Sequence, residues 1–535
     1  MSIVTHQGYT PGTANKESRG SKYMTPGTDE GEGHQGKSEP VLKRGYRPFK
    51  QRSIAWYNPK DGHILHDDGS KAIVEPYSPL VTILSHVHSR VLYLLPDEGG
   101  SFPGRSWYLE TVKSGYTLKK YLSKTKSATI TGEGLTVDIY PVDQYFDNPP
   151  SLTACRAAHL KLTEMLQVTF RSEYALVMGT ASYTGSNLLI MSLPRERTDE
   201  GMKAREYKTL SQDIRDTVIG NSGQGRIETF SPKQEMIDQL YEIDGVFMYA
   251  ACLRDVPTGP VTHDESNEYA GYTSGFYRIV ATVPETWQHI GLLPFYDKIA
   301  SRKGRDVRTV YPNVPGTQFE TWATHHELRL AYEHNWTIDI KERLLWTERS
   351  SDPLRTWGEK LKALRETAND LPEPVRSMLR SAIRAIVLKA IGGFHRHEIK
   401  WDGYKPLIDW NEGQGIDNID TFASEGDTVH YQQSAQFTGQ QLTMLHPEWT
   451  MDIWGKSRVK IARAALSLPY KSIIALRTDG IWCTEKPAPV GIWEETGKPG
   501  SWRAKYSVTG PIAWPKNNAE MVTLIQTVKK QGKVG

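Results

Sequence analysis

Apolar positions in the first third of the chain follow two rhythms. The runs SIAWY (53–57), LVTILSHV (80–87) and RVLYLL (90–95) are short and rich in branched and aromatic residues, and polar turns separate them. That pattern predicts buried β-strands. The stretch SLTACRAAHLKLTEML then places Leu152, Cys155, Ala158 and Leu162 at helical spacing. Residues 49–210 are therefore expected to form one mixed α/β domain, with a charged link over 195–215.

Further on, YEIDGVFMYA (241–250) and SGFYRIVATVP (274–284) predict strands in a unit spanning 211–350, with a basic loop SRKGRDVR (301–308). Residues 351–398 predict a helical hairpin. Its first helix is DPLRTWGEKLKALRETAND, with Asp352 as N-cap and Pro353 at the first helical position. The turn is LPEP, and the second helix is VRSMLRSAIRAIVLKAIGG, ended by paired glycines. Residues 399–440 show no regular rhythm and are expected to be an irregular insertion. In 441–498 a helix starts at Pro447 and stops before LPY. A β-hairpin, SIIALRTDGIWCT, follows with its turn at Asp479-Gly480. Residues 499–535 are mixed. The first 48 residues have almost no aliphatic side chains, and predict a disordered tail.

Composition narrows the picture modestly. A chain of 535 residues allows roughly three or four structural units. A net charge of +3 favours a polyanionic partner only weakly. Cys155, Cys252 and Cys483 are far apart and without CxxC spacing, so neither a thiolate zinc site nor a disulfide scaffold is expected. No signal peptide opens the chain and no run approaches the roughly 18 apolar residues that span a bilayer. A cytoplasmic, membrane-free setting is the expectation. There is no Walker A loop.

The candidate chemistry centres on Asp244 and Asp479. Each sits between apolar runs, Asp244 in YEIDGVFMYAA and Asp479 in IIALRTDGIWC. Aspartate and glycine at a hairpin turn are ordinary turn chemistry. Two aspartates brought together at strand ends can instead hold a pair of Mg²⁺ or Mn²⁺ ions, since hard cations take oxygen ligands. On the second helix of the hairpin, Arg376, Arg380 and Arg384 recur at i, i+4, i+8. Leu379, Ile383, Ile386 and Ala390 form a neighbouring apolar stripe. One face can pack while the other offers guanidinium groups to phosphates.

In sequence order these segments resemble the motifs of family B DNA polymerases, closest to the protein-primed branch of phages and linear plasmids. YEIDGVFMYA is similar to motif A, with Asp244 at the metal-ligand position and Tyr249 at the tyrosine. ALRTDGIW is similar to motif C, with Asp479 at its second aspartate. Counting back from Gly392 puts Arg384 at the motif B lysine. GNSGQGRIETF resembles the Tyr-x-Gly-Gly loop, and GSWRAKYSVTG the Lys-x-Tyr region that grips a primer end.

The resemblance implies a right-hand polymerase of mixed α/β or α+β class. It would have a palm (211–350 and 441–498), fingers (351–398) and a thumb-like end (499–535). Asp244 and Asp479 would hold two metal ions, with Arg384 stabilising charge. Nucleotide contacts fall to Tyr249, Arg380, Arg384 and Gly245, and DNA contacts to Gly225, Arg226, Lys505 and Tyr506. Primer–template DNA, dNTPs and a terminal protein would be the partners. Departures are visible. Arg477 replaces the first motif C aspartate, Arg384 a lysine, Leu388-Lys389 the motif B Asn-Ser, and Phe247 the motif A serine. Residues 49–210 occupy the place of a 3′–5′ exonuclease but lack an Asp-x-Glu strand, so proofreading is not expected. A polymerase-like DNA-binding protein without efficient chemistry is the alternative.

Overall fold

The computed structural model of the chain describes residues 52–199, 201–271, 273–296, 309–395, 399–410, 419–435 and 444–531. The expected tail (1–48) and the basic interval SRKGRDVR lie outside them. Among the described residues no helix is long and apolar enough to cross a membrane, and all three cysteines are buried free thiols.

The N-terminal unit is built on a large sheet. Strands β1 (Ile54–Tyr57), β2 (His63–His66), β3 (Lys71–Ile73), β4 (Val91–Leu94), β5 (Thr117–Leu122), β6 (Ser127–Gly132) and β7 (Leu135–Pro141) lie in the order β5-β6-β7-β4-β1-β2-β3. β1, β4 and β7 run parallel. Along β1 the side chains alternate between two cores. Ile54 and Trp56 face helices, while Ala55 and Tyr57 pack into a second cluster. A strand buried on both faces reads as a continuous apolar run, which is why SIAWY and RVLYLL were legible.

The run LVTILSHV is a correction. It forms the short helix α1 (Leu80–Leu84). Leu80, Ile83 and Leu84 are buried at i, i+3, i+4, a spacing that serves a helix face better than a strand. After α2 (Arg105–Lys113) comes α3 (Leu152–Phe170), capped by the Ser151 side chain, and then α4 (Ala181–Ser192). The charged link contains a hairpin, β8 (Arg195–Thr198) with β9 (Gly201–Ala204).

Beyond α5 (Gln212–Asn221) two sheets form the middle of the molecule. The central one has order β10-β21-β22-β11-β23, from β10 (Ile227–Thr229), β11 (Met236–Gly245), β21 (Ile473–Arg477), β22 (Gly480–Cys483) and β23 (Trp502–Ala513). The other has order β12-β17-β13-β16, from β12 (Val261–Asp264), β13 (Ser274–Thr282), β16 (Gln318–Thr324) and β17 (Thr337–Trp346). A small pair, β14 (Phe295–Tyr296) and β15 (Thr309–Val310), lies with β14 beside β16. Helix α6 (His325–Glu333) follows β16 with a complete Thr324/Glu327 capping box.

The helical hairpin is α7 (Arg355–Thr367) and α8 (Val375–Phe394). Both ends differ from expectation. α7 starts after Pro353 because Asp352 adopts a left-handed φ of 50° and accepts the Asp255 amide at 2.6 Å, tying two segments together rather than capping. α8 runs through Gly392-Gly393 because Phe394, fully buried, packs edge-on against Trp449. The apolar stripe of α8 is buried as expected. Gly185 of α4 lets the two helices touch, since a Cβ there would lie 2.5 Å from Ala390 Cβ.

The expected irregular insertion is β-structure. Strands β18 (Ile399–Pro406), β19 (Ile419–Glu425) and β20 (Thr428–Ala435) extend the N-terminal sheet through β18 and β5. The thumb-like segment also differs, because β23 pairs along the whole of β11 before α10 (Asn518–Gln531) closes over the sheet. Helix α9 (Pro447–Leu466) begins at Pro447 as expected and crosses behind the central sheet.

Candidate active site

The carboxylates of Asp244 and Asp479 come together by strand pairing. Asp244 lies opposite Gly480 in the β11/β22 register, and the Gly245 amide donates to the Asp479 carbonyl at 2.7 Å. Both aspartates are 6% exposed. The hairpin loop is Thr478-Asp479, one residue earlier than the expected Asp479-Gly480 turn, because Arg477 pairs with Gly480. Thr478 takes the positive φ, 54°. Phe247, three residues after Asp244, also has a positive φ, 46°. A left-handed backbone at a non-glycine residue costs on the order of 1–3 kcal/mol, and such strain gathers at functional sites.

Every oxygen of the two carboxylates has a partner. For Asp244, Lys505 Nζ lies 3.2 Å from Oδ1 and Arg503 Nη2 lies 3.1 Å from Oδ2. For Asp479, Thr478 Oγ1 donates to Oδ1 at 3.0 Å and Arg384 Nη2 to Oδ2 at 3.3 Å. Glu242, two residues before Asp244 on β11, also receives Lys505 at 3.4 Å, and its Oε2 is buried without a partner. Burial pushes the Glu242 carboxyl up against the pull of Lys505.

Arg384 reaches this site from α8, and α7 contributes Arg365. Burial, with Arg380, Arg503 and Arg384 nearby, pulls the Arg365 guanidinium down to about 10. Arg365 lies over the Phe247 ring, 5.1 Å from its centroid. A cavity of about 460 Å³ opens here, lined by Phe247, Lys362, Arg365, Arg376 and Arg380 among others. Arg376 and Arg380 of the α8 stripe line this recess together with Glu366 and Glu373, while Arg384 turns to Asp479. For divalent cations the donor set fits: carboxylate oxygens are the ligands hard cations prefer, and Glu242 keeps one oxygen unspent.

Several expected contacts are placed otherwise. Arg477 points away from the aspartates, with Nη2 3.3 Å from the Asn518 carbonyl. Arg226 is 1% exposed, paired with Glu228 and placed 4.0 Å from the Tyr311 ring centroid, so its guanidinium is spent inside the protein. Tyr506 is buried in the cluster that also holds Trp482 and Trp514, with Lys505 Nζ 5.8 Å from its ring centroid. The amide of Gly245 is spent on Asp479 and is closed to a phosphate. Its neighbour contact is close, as a Cβ there would lie 3.2 Å from the same carbonyl. Gly225 packs on Tyr249, where a Cβ would meet the phenol oxygen at 2.6 Å. Tyr249 is 8% exposed, and burial pushes its phenol up.

Residues that sequence patterns did not single out hold this loop. Arg458 of α9, buried, binds Glu327 through Nε at 2.6 Å and sends Nη1 to the carbonyls of Ser222 and Gln224 at 3.0 Å. Arg503 and Glu242 were missed because cross-strand partners depend on register. Among the described residues, one group of three possible metal ligands lies within 4.8 Å of one another: His325, His326 and Asp452. There Lys456 pairs with Asp452, giving that carboxylate its own cation.

No protein-family model matches the sequence, and no curated protein does. Solved structures do. The chain is similar to Phi29 DNA polymerase in its ternary complex with primer–template DNA and incoming nucleotide, at 12% identity and TM-score 0.53, covering 86% of this chain and 85% of that one. The orthorhombic crystal form of the same enzyme matches over the same shares at 14% identity and TM-score 0.54, as does its complex with single-stranded DNA. This chain has the mixed α/β fold of a DNA polymerase.

Proposed function

We propose that this chain is a template-directed DNA polymerase that extends a DNA or protein primer with dNTPs. The observation that carries the reading is the pairing of Asp244 and Asp479 on adjacent strands beneath an arginine-lined helical hairpin. In this reading Asp244 and Asp479 hold two Mg²⁺ or Mn²⁺ ions, with Glu242 beside them. Such ions activate the primer hydroxyl and neutralise phosphate charge. The chain's own residues do the rest. Arg384, Arg380 and Arg365 bind the triphosphate, and their guanidinium groups can grip it bidentately. Arg384 stays charged and stabilises the departing pyrophosphate without supplying a proton. Tyr249, fixed by Gly225, forms the floor under the sugar. Lys505 approaches the primer end. A terminal protein as primer and a viral or mobile-element genome follow from the family likeness.

One observation favours the alternative, a DNA-binding protein with weak chemistry: each carboxylate oxygen already has a protein donor. Primer extension separates the two. Wild type should extend a labelled primer on a template with dNTPs and Mg²⁺ or Mn²⁺. Asp244→Ala and Asp479→Ala should each lose at least about 3 kcal/mol of transition-state stabilisation, roughly a hundredfold in rate. Primer–template binding without extension by wild type would favour the alternative.

A further inference from the structure

Three basic side chains stand where two divalent cations would have to enter. Lys505 and Arg503 both come from β23, and Arg503 lies directly opposite Asp244 in the β11/β23 register. A cross-strand pair on one face of a sheet is held by the backbone ladder and needs little ordering of its own. Arg384 comes from α8 and reaches Asp479. These cations differ in freedom. The Lys505 side chain is 23% exposed, whereas those of Arg503 and Arg384 are 39% and 48% exposed. Arg503 Nε has no hydrogen-bond partner. Arg365 and Arg380 lie close enough to Arg503 to feel its charge. Cations therefore crowd the site while every oxygen of Asp244 and Asp479 is already satisfied.

From this arrangement we infer that Arg503 is an exchangeable counter-ion: it neutralises Asp244 in the free protein and transfers to the triphosphate when nucleotide binds, so that nucleotide and divalent cation bind cooperatively. The inference rests on the polymerase reading and adds an order to it. With no anion present, a divalent cation has to displace Arg503 from Asp244, and binds weakly. A triphosphate draws the guanidinium to itself, because phosphate oxygens accept its N–H groups as well as a carboxylate does. Asp244 Oδ2 is then free for metal. Arg384 and Asp479 have the same relation, but Arg384 also belongs to the nucleotide-binding stripe. Arg503 is thus the cleaner position for a test. Coupling is reciprocal: the factor by which nucleotide tightens metal binding is the factor by which metal tightens nucleotide binding.

The test measures two ligands on the full chain without primer. Mn²⁺ binding is followed by loss of the free-ion EPR signal, and binding of a fluorescent dATP derivative is followed in EDTA. Arg503→Gln should bind Mn²⁺ about tenfold tighter than wild type and the nucleotide about tenfold weaker. Arg503→Lys should remain near wild type for both ligands. Opposite signs are the signature, since damage to the fold would weaken both. Equal or same-direction shifts would overturn the exchange. Asp244→Asn distinguishes the two layers. If it abolishes Mn²⁺ binding while Arg503→Gln changes neither ligand, the metal site stands and the exchange falls. If Mn²⁺ binds neither wild type nor Arg503→Gln, both fall.

Discussion

At the scale of single residues, the site is set by close approaches as much as by charges. Gly225 is the plainest case. Its missing Cβ makes room for the Tyr249 hydroxyl, and the same loop is pinned by Arg458 and by the Thr478 amide, which donates to the Arg226 carbonyl at 2.6 Å. Tyr249 cannot retreat, because it is packed into the core formed with α7 and α8. Gly225→Ala should therefore displace the phenol ring and destabilise the protein by about 1–3 kcal/mol, the usual cost of overpacking. Thermal unfolding measures the stability loss. Comparing dNTP and rNTP incorporation measures the displaced ring, which should discriminate less well against the 2′-hydroxyl. Unchanged melting and unchanged selectivity would remove Gly225 from the account. The aspartates themselves were legible in the sequence, since each interrupts an apolar run at a strand end. Their pairing with cations was not: Lys505 and Arg384 were expected as DNA and nucleotide contacts, Arg503 was missed, and Lys505 falls at a register shift between Glu242 and Ile243 that no spacing rule anticipates.

At the scale of elements, helices were read better than sheet partners. The period of α3, α8 and α9 is written locally, whereas β18–β20 join a strand almost 300 positions earlier by hydrogen bonds that leave no local trace. Tertiary burial also decides where helices stop, as Phe394 carries α8 past two glycines. Helix α3 illustrates a physical consequence of such packing. His159 on its inner face is 1% exposed, 5.6 Å from the Trp56 ring centroid, with Nε2 unpartnered. Burial pulls its imidazole down to about 4. The unfolded chain takes up a proton near the ordinary pKa of about 6.5, and the folded chain refuses it. Stability is thus unaffected above that value and falls as pH drops from about 6.5 to 4, by about 3 kcal/mol in all. Urea unfolding at pH 7 and pH 4.5 should show a smaller pH-dependent loss in His159→Leu than in wild type, by about 2 kcal/mol. Identical losses would mean that His159 finds a proton acceptor in the folded state.

At the scale of the whole molecule, the question is what the N-terminal unit contributes to a polymerase. Its sheet is joined to the rest by α3 and α4 packing on α8, and by Lys389 of α8, which donates to the Gln144 carbonyl at 3.1 Å. It therefore supports the hairpin that carries Arg384. A second contribution, removal of misincorporated nucleotides, would need carboxylates clustered to hold metal. The parallel strands β1, β4 and β7 offer Asp138, but its carboxylate is already bound to Arg52 and to Thr129 Oγ1, the latter at 2.7 Å. Among the described residues, the group of three with metal-ligand geometry lies on α6 and α9, outside this unit. We therefore predict that a labelled primer incubated with Mg²⁺ and no dNTPs keeps its length, matched or mismatched at its 3′ end. If shortening occurs and persists in Asp244→Ala, the N-terminal unit holds a nuclease site built from other residues. If it does not occur, what the N-terminal unit contributes is the support it gives the hairpin that carries Arg384.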